Sequence, residues 1–282
     1  MEEERARGTE KTGSPIPAPD PTNAMNAPKT TAPQLVITGL PGAPMVQPGD
    51  DLVEIALAGL ARAGLTLADG DVLVVASKIV SKAEGRFVRL ADVAVTPQAE
   101  AVAASIDKDP RLVTLILAES AEVLRTRPGL IVVEHRLGFI SANAGIDQSN
   151  VGEEDAALLL PEDPDASARR LRQGLYEATG ADVAIVINDS HGRAWRLGTV
   201  GVAIGVAGLL PLTDRRGDRD LFGREMRATV LGTADEIAAA GSLLQGGTDE
   251  ALPIVHLRGV PYRRGDGRLA DLLRPKESDL FR

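Results

Sequence analysis

The spacing of apolar segments limits the fold of this chain more than any other feature. Strand-like runs occur at LVITGLPG (35–42), DVLVVAS (71–77), ADVAIVIND (181–189), GTVGVAIGVAGLLPL (198–212) and LPIVHLRGV (252–260), and LIVVEHRLGFISANAG (130–145) reads as two strands joined by a short turn. Helical periodicity appears in GDDLVEIALAGLARAG (49–64), from about Thr96 to Glu122, in PEDPDASARRLRQGLYEATG (161–180) and across REMRATVLGTADEIAAAGSLLQGG (224–247). Asp50 and Asp51 stand where the first of these helices wants an N-cap and an acidic first turn, and Gly180 ends the third. Strands and helices interleave irregularly, so the pattern predicts a mixed α+β fold rather than a regular doubly wound sheet.

Composition narrows the chemistry. Aromatic residues make up 2% of the chain, so the core is aliphatic and stacking platforms for single-stranded nucleic acid are not expected. The net charge of -9 offers no basic face for a nucleic-acid backbone, which argues against DNA or RNA as partners. There is no cysteine, and the histidines are His135, His191 and His256. A metal here would take oxygen ligands, which favours Mg2+, Mn2+ or Ca2+. No apolar run is long enough to span a membrane and the N-terminus lacks a signal-peptide core, so a cytoplasmic location is expected. Residues 1–33 are rich in proline and read as a disordered tail, with the folded domain expected over 34–282.

Three groups of residues could carry chemistry. Asp147 in SANAGIDQSNV and Asp189 in VAIVINDSHGR each follow an apolar strand, where rigid structure can hold a carboxylate as a metal ligand. A lone aspartate there usually caps its own turn; two of them, with Asn150, Ser190 and His191 nearby, make a metal or phosphate site as good a reading as turn-capping. Ser77, Lys78, Ser81 and Lys82 follow a strand and suit phosphate, although a solvated basic turn is the simpler reading and no P-loop is present. The arginines and aspartates of DRRGDRD (214–220) read as a self-neutralising loop. GVAIGVAG lacks the dinucleotide order of glycines and reads as close backbone packing. His191 reads as a polar turn residue, and His135 and His256 as strand residues with ordinary hydrogen bonds.

Taken in order, several strings resemble one family. They are GLPG and PGDDL (39–42, 48–52), DGDVLVVASKIVSKAEGR (69–86), SANAGIDQSNV (141–151), LLLPEDPDASARRLR (158–172), VINDSHGRAWRLGTVGVAIGVAG (186–208), DLFGREM (220–226) and ADEIAAA (234–240). Together they resemble the coenzyme F420-0:gamma-glutamyl ligases over roughly residues 35–282. LLRPKESDLFR (272–282) is similar to the end of the ligase half of bacterial two-domain members, whose flavin-binding reductase-like domain is not expected here.

That resemblance implies an intertwined homodimer, GTP as the energy source, Mg2+ or Mn2+, and a monovalent cation such as K+. It implies coenzyme F420-0 and L-glutamate as substrates, an acyl-phosphate intermediate and a gamma-linked oligoglutamate tail. By resemblance Asp147 and Asp189 are catalytic and, with Ser190, metal ligands, while Leu40, Pro41, Gly42, Ser77, Lys78, Lys82 and Asn150 line the nucleotide site. One departure stands out: archaeal members carry a metal-binding Glu where this chain has Gly247, with Thr248, Asp249 and Glu250 following. Two competing readings are a non-catalytic paralogue that binds deazaflavin or GTP, and an amide ligase with another carboxylate acceptor.

Overall fold

The computed structural model describes residues 32–148 and 155–279. The chain divides after Gln34, and the elements below all belong to the unit Leu35–Arg282. The first third holds β1 (Val36–Gly39), α1 (Leu52–Arg62), β2 (Val72–Ala76), α2 (Ser77–Ala83) and β3 (Phe87–Arg89). Next come α3 (Pro97–Ile106), α4 (Pro110–Ala118), β4 (Ser120–Arg127), β5 (Leu130–His135), β6 (Ile140–Ala142) and β7 (Ala156–Leu158). The remainder holds α5 (Pro164–Thr179), β8 (Ala184–Arg193), β9 (Arg196–Ala207), β10 (Thr213–Asp214), β11 (Val230–Leu231), α6 (Thr233–Gln245) and β12 (Ile254–Arg258).

The fold is mixed α+β. Its central sheet runs in the order β1-β12-β2-β8-β9. Only β2 and β8 pair in parallel, with Val72 opposite Ala184, and the other neighbours are antiparallel. Alternation along β2 gives both faces an apolar surface. Leu73 and Val75 pack with Ile185, Ile187 and the helices α1 and α5, through Ala56, Leu60, Leu171 and Leu175. Val72 and Val74 pack on the other face with Val186, Val206, Val255 and, from α6, Ala234, Ile237 and Ala238. A second antiparallel sheet, β4-β5-β6, is covered by α3 and α4, with Ile131 and Val133 against Ala103, Val113 and Ile116.

Local signals set many boundaries. Asp51 caps α1 by accepting from the Val53 N–H, and Asp163 caps α5 by accepting from Ala166 N–H. Gly180 ends α5 at φ 74°. The helical stretch read from Thr96 to Glu122 is two helices and the start of a strand. Asp107 turns left-handed at φ 54°, and Pro110 then opens α4 under the Asp109 cap. The long helix read over 224–247 is confined to Thr233–Gln245. Val230 and Leu231 pair instead with Asp214 and Thr213, because residues 224–229 have no buried face to support a helix. Gly201 and Gly205 confirm the close-packing reading of β9. A Cβ on Gly201 would sit 2.7 Å from the Ala238 carbonyl of α6, and one on Gly205 would sit 2.6 Å from the Pro164 backbone at the start of α5.

Candidate functional site

Beyond the end of β2 lies a cavity of about 740 Å³, lined by residues from β2, α2, β6, β8 and the segments after β1 and α6. That volume is within the usual range for a small-ligand site. Ser77, Lys78 and Lys82 reach its wall from α2, and Asp147 and Ile146 from the segment after β6. Asp189, Ser190 and His191 come from β8, and Gln245, Gly246, Gly247, Thr248 and Asp249 from the end of α6 and the loop beyond.

The basic-turn reading of residues 77–82 is corrected. Ser77–Ala83 form a helix, and Ser77, Ser81 and Lys82 are buried. Seven residues are too few to show periodicity, but Ile79 and Val80 anchor the turn in the core. Lys82 thereby carries a charge into a desolvated wall. Its ammonium is held below the usual lysine range, first by burial and next by the charge of Lys78, while Asp147 pulls the other way. Such a cation gains by meeting anionic oxygens.

Both aspartates are held firmly. Asp147 exchanges backbone hydrogen bonds with Leu158, N–H to O 3.0 Å and O to N–H 2.8 Å, and its Oδ2 lies 2.7 Å from Lys78 Nζ. Asp189 does not end its strand as the sequence reading had it, because β8 continues to Arg193 with Asp189 opposite Val202. The β8–β9 register shifts just before this point, where Ile187 faces Gly205 and Asn188 faces Ala203, which leaves Ile204 of β9 as the extra residue. Asp189 Oδ1 accepts from Ser77 Oγ at 2.7 Å, and Oδ2 lies 2.9 Å from His191 Nε2. Two residues apart on one strand, Asp189 and His191 share a face.

Not all the expected nucleotide residues reach this wall. Leu40 is buried in the core, and Gly42 turns at φ 76° with its carbonyl accepting from Arg62. The four residues that follow, Ala43 to Val46, line the cavity. Asn150 lies outside the described residues.

Several wall residues were not singled out from sequence. Gln245 donates to the carbonyls of Val74 and Pro253 at 3.2 and 3.1 Å and accepts from Asn188 Nδ2 at 2.6 Å. It ties the end of α6 to β2, to β8 and to the residue before β12. His191 was read as a turn residue, yet its side chain is only 10% exposed.

The donor chemistry fits a hard divalent cation. Asp147, Asp189, Ser190 and Ser141 offer only oxygens to the cavity wall. Ser141 Oγ is buried there with no hydrogen-bond partner among the described residues. No cluster of three His, Cys, Asp or Glu side chains occurs among the described residues. Gly247 lines the wall with nothing within 4 Å of where its Cβ would be. The nearby Glu250 carboxylate turns back to accept from Thr248 N–H at 2.9 Å. Mg2+ and Mn2+ keep several waters, so a short protein donor set is compatible with either.

Comparisons with known proteins give the family of the chain. A family described as F420-0:Gamma-glutamyl ligase matches residues 42–259. The chain is 48% identical over 248 residues to the coenzyme F420:L-glutamate ligase of Methanothermobacter thermautotrophicus, covering 87% of this chain and 98% of that protein. The protein of the same name from Methanopyrus kandleri is 42% identical over 89% of this chain and 98% of its own length. That from Archaeoglobus fulgidus is 43% identical over 86% and 94%. With the match spanning most of its length, the chain belongs to the F420-0:gamma-glutamyl ligase family.

Proposed function

We propose that this chain is a GTP- and metal-dependent ligase that joins L-glutamate to coenzyme F420-0 and then extends a gamma-linked tail. The observation that carries the reading is the convergence of Asp147, Asp189, Lys78 and Lys82 on one cavity, in a chain so similar to proteins named as F420:L-glutamate ligases.

The chemistry begins with the acceptor carboxylate attacking the γ-phosphorus of GTP. GDP departs and an acyl phosphate is left. The amino nitrogen of L-glutamate then attacks the acyl carbon, phosphate leaves, and an amide remains. Phosphoryl transfer of this kind needs positioning and charge neutralisation more than covalent help. Lys78 and Lys82 supply cationic contacts for phosphate oxygens from the wall they share. Asp147, Asp189 and Ser190 would hold Mg2+ or Mn2+, which when bound neutralises phosphate charge. K+ is the expected monovalent ion. We assign the second copy of a homodimer to the exposed apolar surface that includes Trp195 and Leu197 beside the β8–β9 turn.

Mass spectrometry of coenzyme F420-0 incubated with protein, GTP, L-glutamate, Mn2+ and K+ tests the reading. GTP-dependent mass steps of one glutamate residue are expected. Gly247 favours a second reading, binding without catalysis; GTP binding with no product and no hydrolysis would select it. Hydrolysis without product would point to another carboxylate acceptor.

A further inference from the structure

His191 lies between two parts of the site that come from different sheets. Its Nε2 is 2.9 Å from Asp189 Oδ2, and a carboxylate oxygen can only accept, so the imidazole donates. Its ring is 5.2 Å from the ring of Phe139, tilted by 46°. Phe139 sits in the turn between β5 and β6, and β6 leads directly to the segment that delivers Asp147. The contact therefore joins the central sheet, which carries Asp189, to the smaller sheet, whose last strand precedes Asp147.

The Phe139 side of this contact is itself braced. Phe139 stacks on His135 with centroids 5.0 Å apart and planes 6° from parallel. His135 is fully buried, and its Nδ1 accepts from Leu137 N–H at 3.0 Å. The proton is thus on Nε2, which faces Glu119 Oε2 at 3.5 Å. Glu119 is gripped in turn by Arg136 and Arg86. A chain of contacts reaches from Glu119 to Asp189, and its last two members, His191 and Asp189, line the cavity.

We infer that His191 is a positioning residue that fixes the Asp189 carboxylate and sets its separation from Asp147. The inference rests on the proposal that these two carboxylates hold a divalent cation. Outer partners of metal ligands typically change metal affinity about 10- to 100-fold when removed.

The test uses the full chain and Mn2+ alone, with free Mn2+ read by electron paramagnetic resonance and no nucleotide present. His191→Phe keeps the ring contact and removes the N–H. His191→Gln keeps a donor and removes the ring. Each is expected to weaken Mn2+ binding about tenfold, and His191→Ala more than either, with the melting temperature and near-ultraviolet circular dichroism unchanged. Binding in all three within twofold of wild type overturns the inference. So does a loss of binding that only tracks a loss of folded structure. Asp189→Asn separates the two levels. If it abolishes binding while the His191 variants do not, the metal reading stands and this inference falls. If wild type does not bind Mn2+, both fall.

Discussion

At the scale of single residues, the carboxylates at the cavity carry the sharpest expectations. Asp189→Ala removes a group with two defined partners, Ser77 and His191, from a strand whose backbone pairing it leaves intact. Glutamate ligation should fall by more than about a thousandfold, with circular dichroism unchanged. Gly247→Glu adds a carboxylate where space is open. One new contact of ~1.4 kcal/mol is a tenfold effect, so Mn2+ titration should show about tenfold tighter binding. That Asp147 and Asp189 line one cavity accords with an acid near an apolar strand, a local pattern, although β8 runs past Asp189 rather than ending there. His191 was not legible in the sequence, because its role depends on β8 running past Asp189 and on Phe139, more than fifty positions away. Gln245 was hidden for the same reason, since its partners lie on β2, β8 and before β12.

At the scale of elements, close packing of β9 against α5 and α6 leaves no room for a side chain at Gly201 and Gly205. Gly201→Ala would press a methyl group against Asn188 Oδ1 and the Ala238 carbonyl. A loss of about 1–3 kcal/mol is expected from overpacking, read as a lower urea midpoint. Glu119, at the end of α4, ties that helix to Arg86 and to Arg136 in the β5–β6 turn. Burial pushes its carboxyl up, but the His135 imidazole 3.5 Å away, the bond from Arg136 and the charges of Arg136 and Arg86 outweigh it and bring it to about 2. A depressed carboxylate stabilises the fold above its unfolded value of 4.5, and that stability is lost as pH falls towards 2. The contribution is on the order of 3 kcal/mol. Urea midpoints should therefore fall less steeply between those pH values in Glu119→Gln than in wild type. Helices with strong caps, such as α1 and α5, could be read from sequence. The excess helix read over 224–232 could not be corrected locally, since an Ala-, Glu- and Arg-containing stretch favours helix until tertiary contacts decide otherwise.

For the whole molecule, large exposed apolar side chains mark two loops. Trp195 and Leu197, 88% and 98% exposed, lie at the far end of the β8–β9 hairpin, and Leu221 and Phe222 are exposed on the loop between β10 and β11. If a second copy covers these side chains, Leu197→Asp combined with Leu221→Asp should shift the mass measured by light scattering from dimer to monomer. An unchanged dimer would place the interface elsewhere. In the loop that carries Leu221, Arg215 pairs with Asp218 and Arg216 with Asp214. No helix among the described residues is long and apolar enough to cross a membrane.

The position of β12 has a consequence for how the chain acquires its shape during synthesis. This late strand lies between β1 and β2, two of the earliest. Until Ile254–Arg258 have left the ribosome, β1 has no neighbour to bond to and β2 has an open edge. The β8–β9 hairpin can form early because its contacts are local, whereas the sheet as a whole waits for distant segments to meet. The nascent protein thus spends most of its translation with the edge of β2 unsealed, a state prone to wrong pairing with other chains. Its final strand acts as the bolt that shuts that gap.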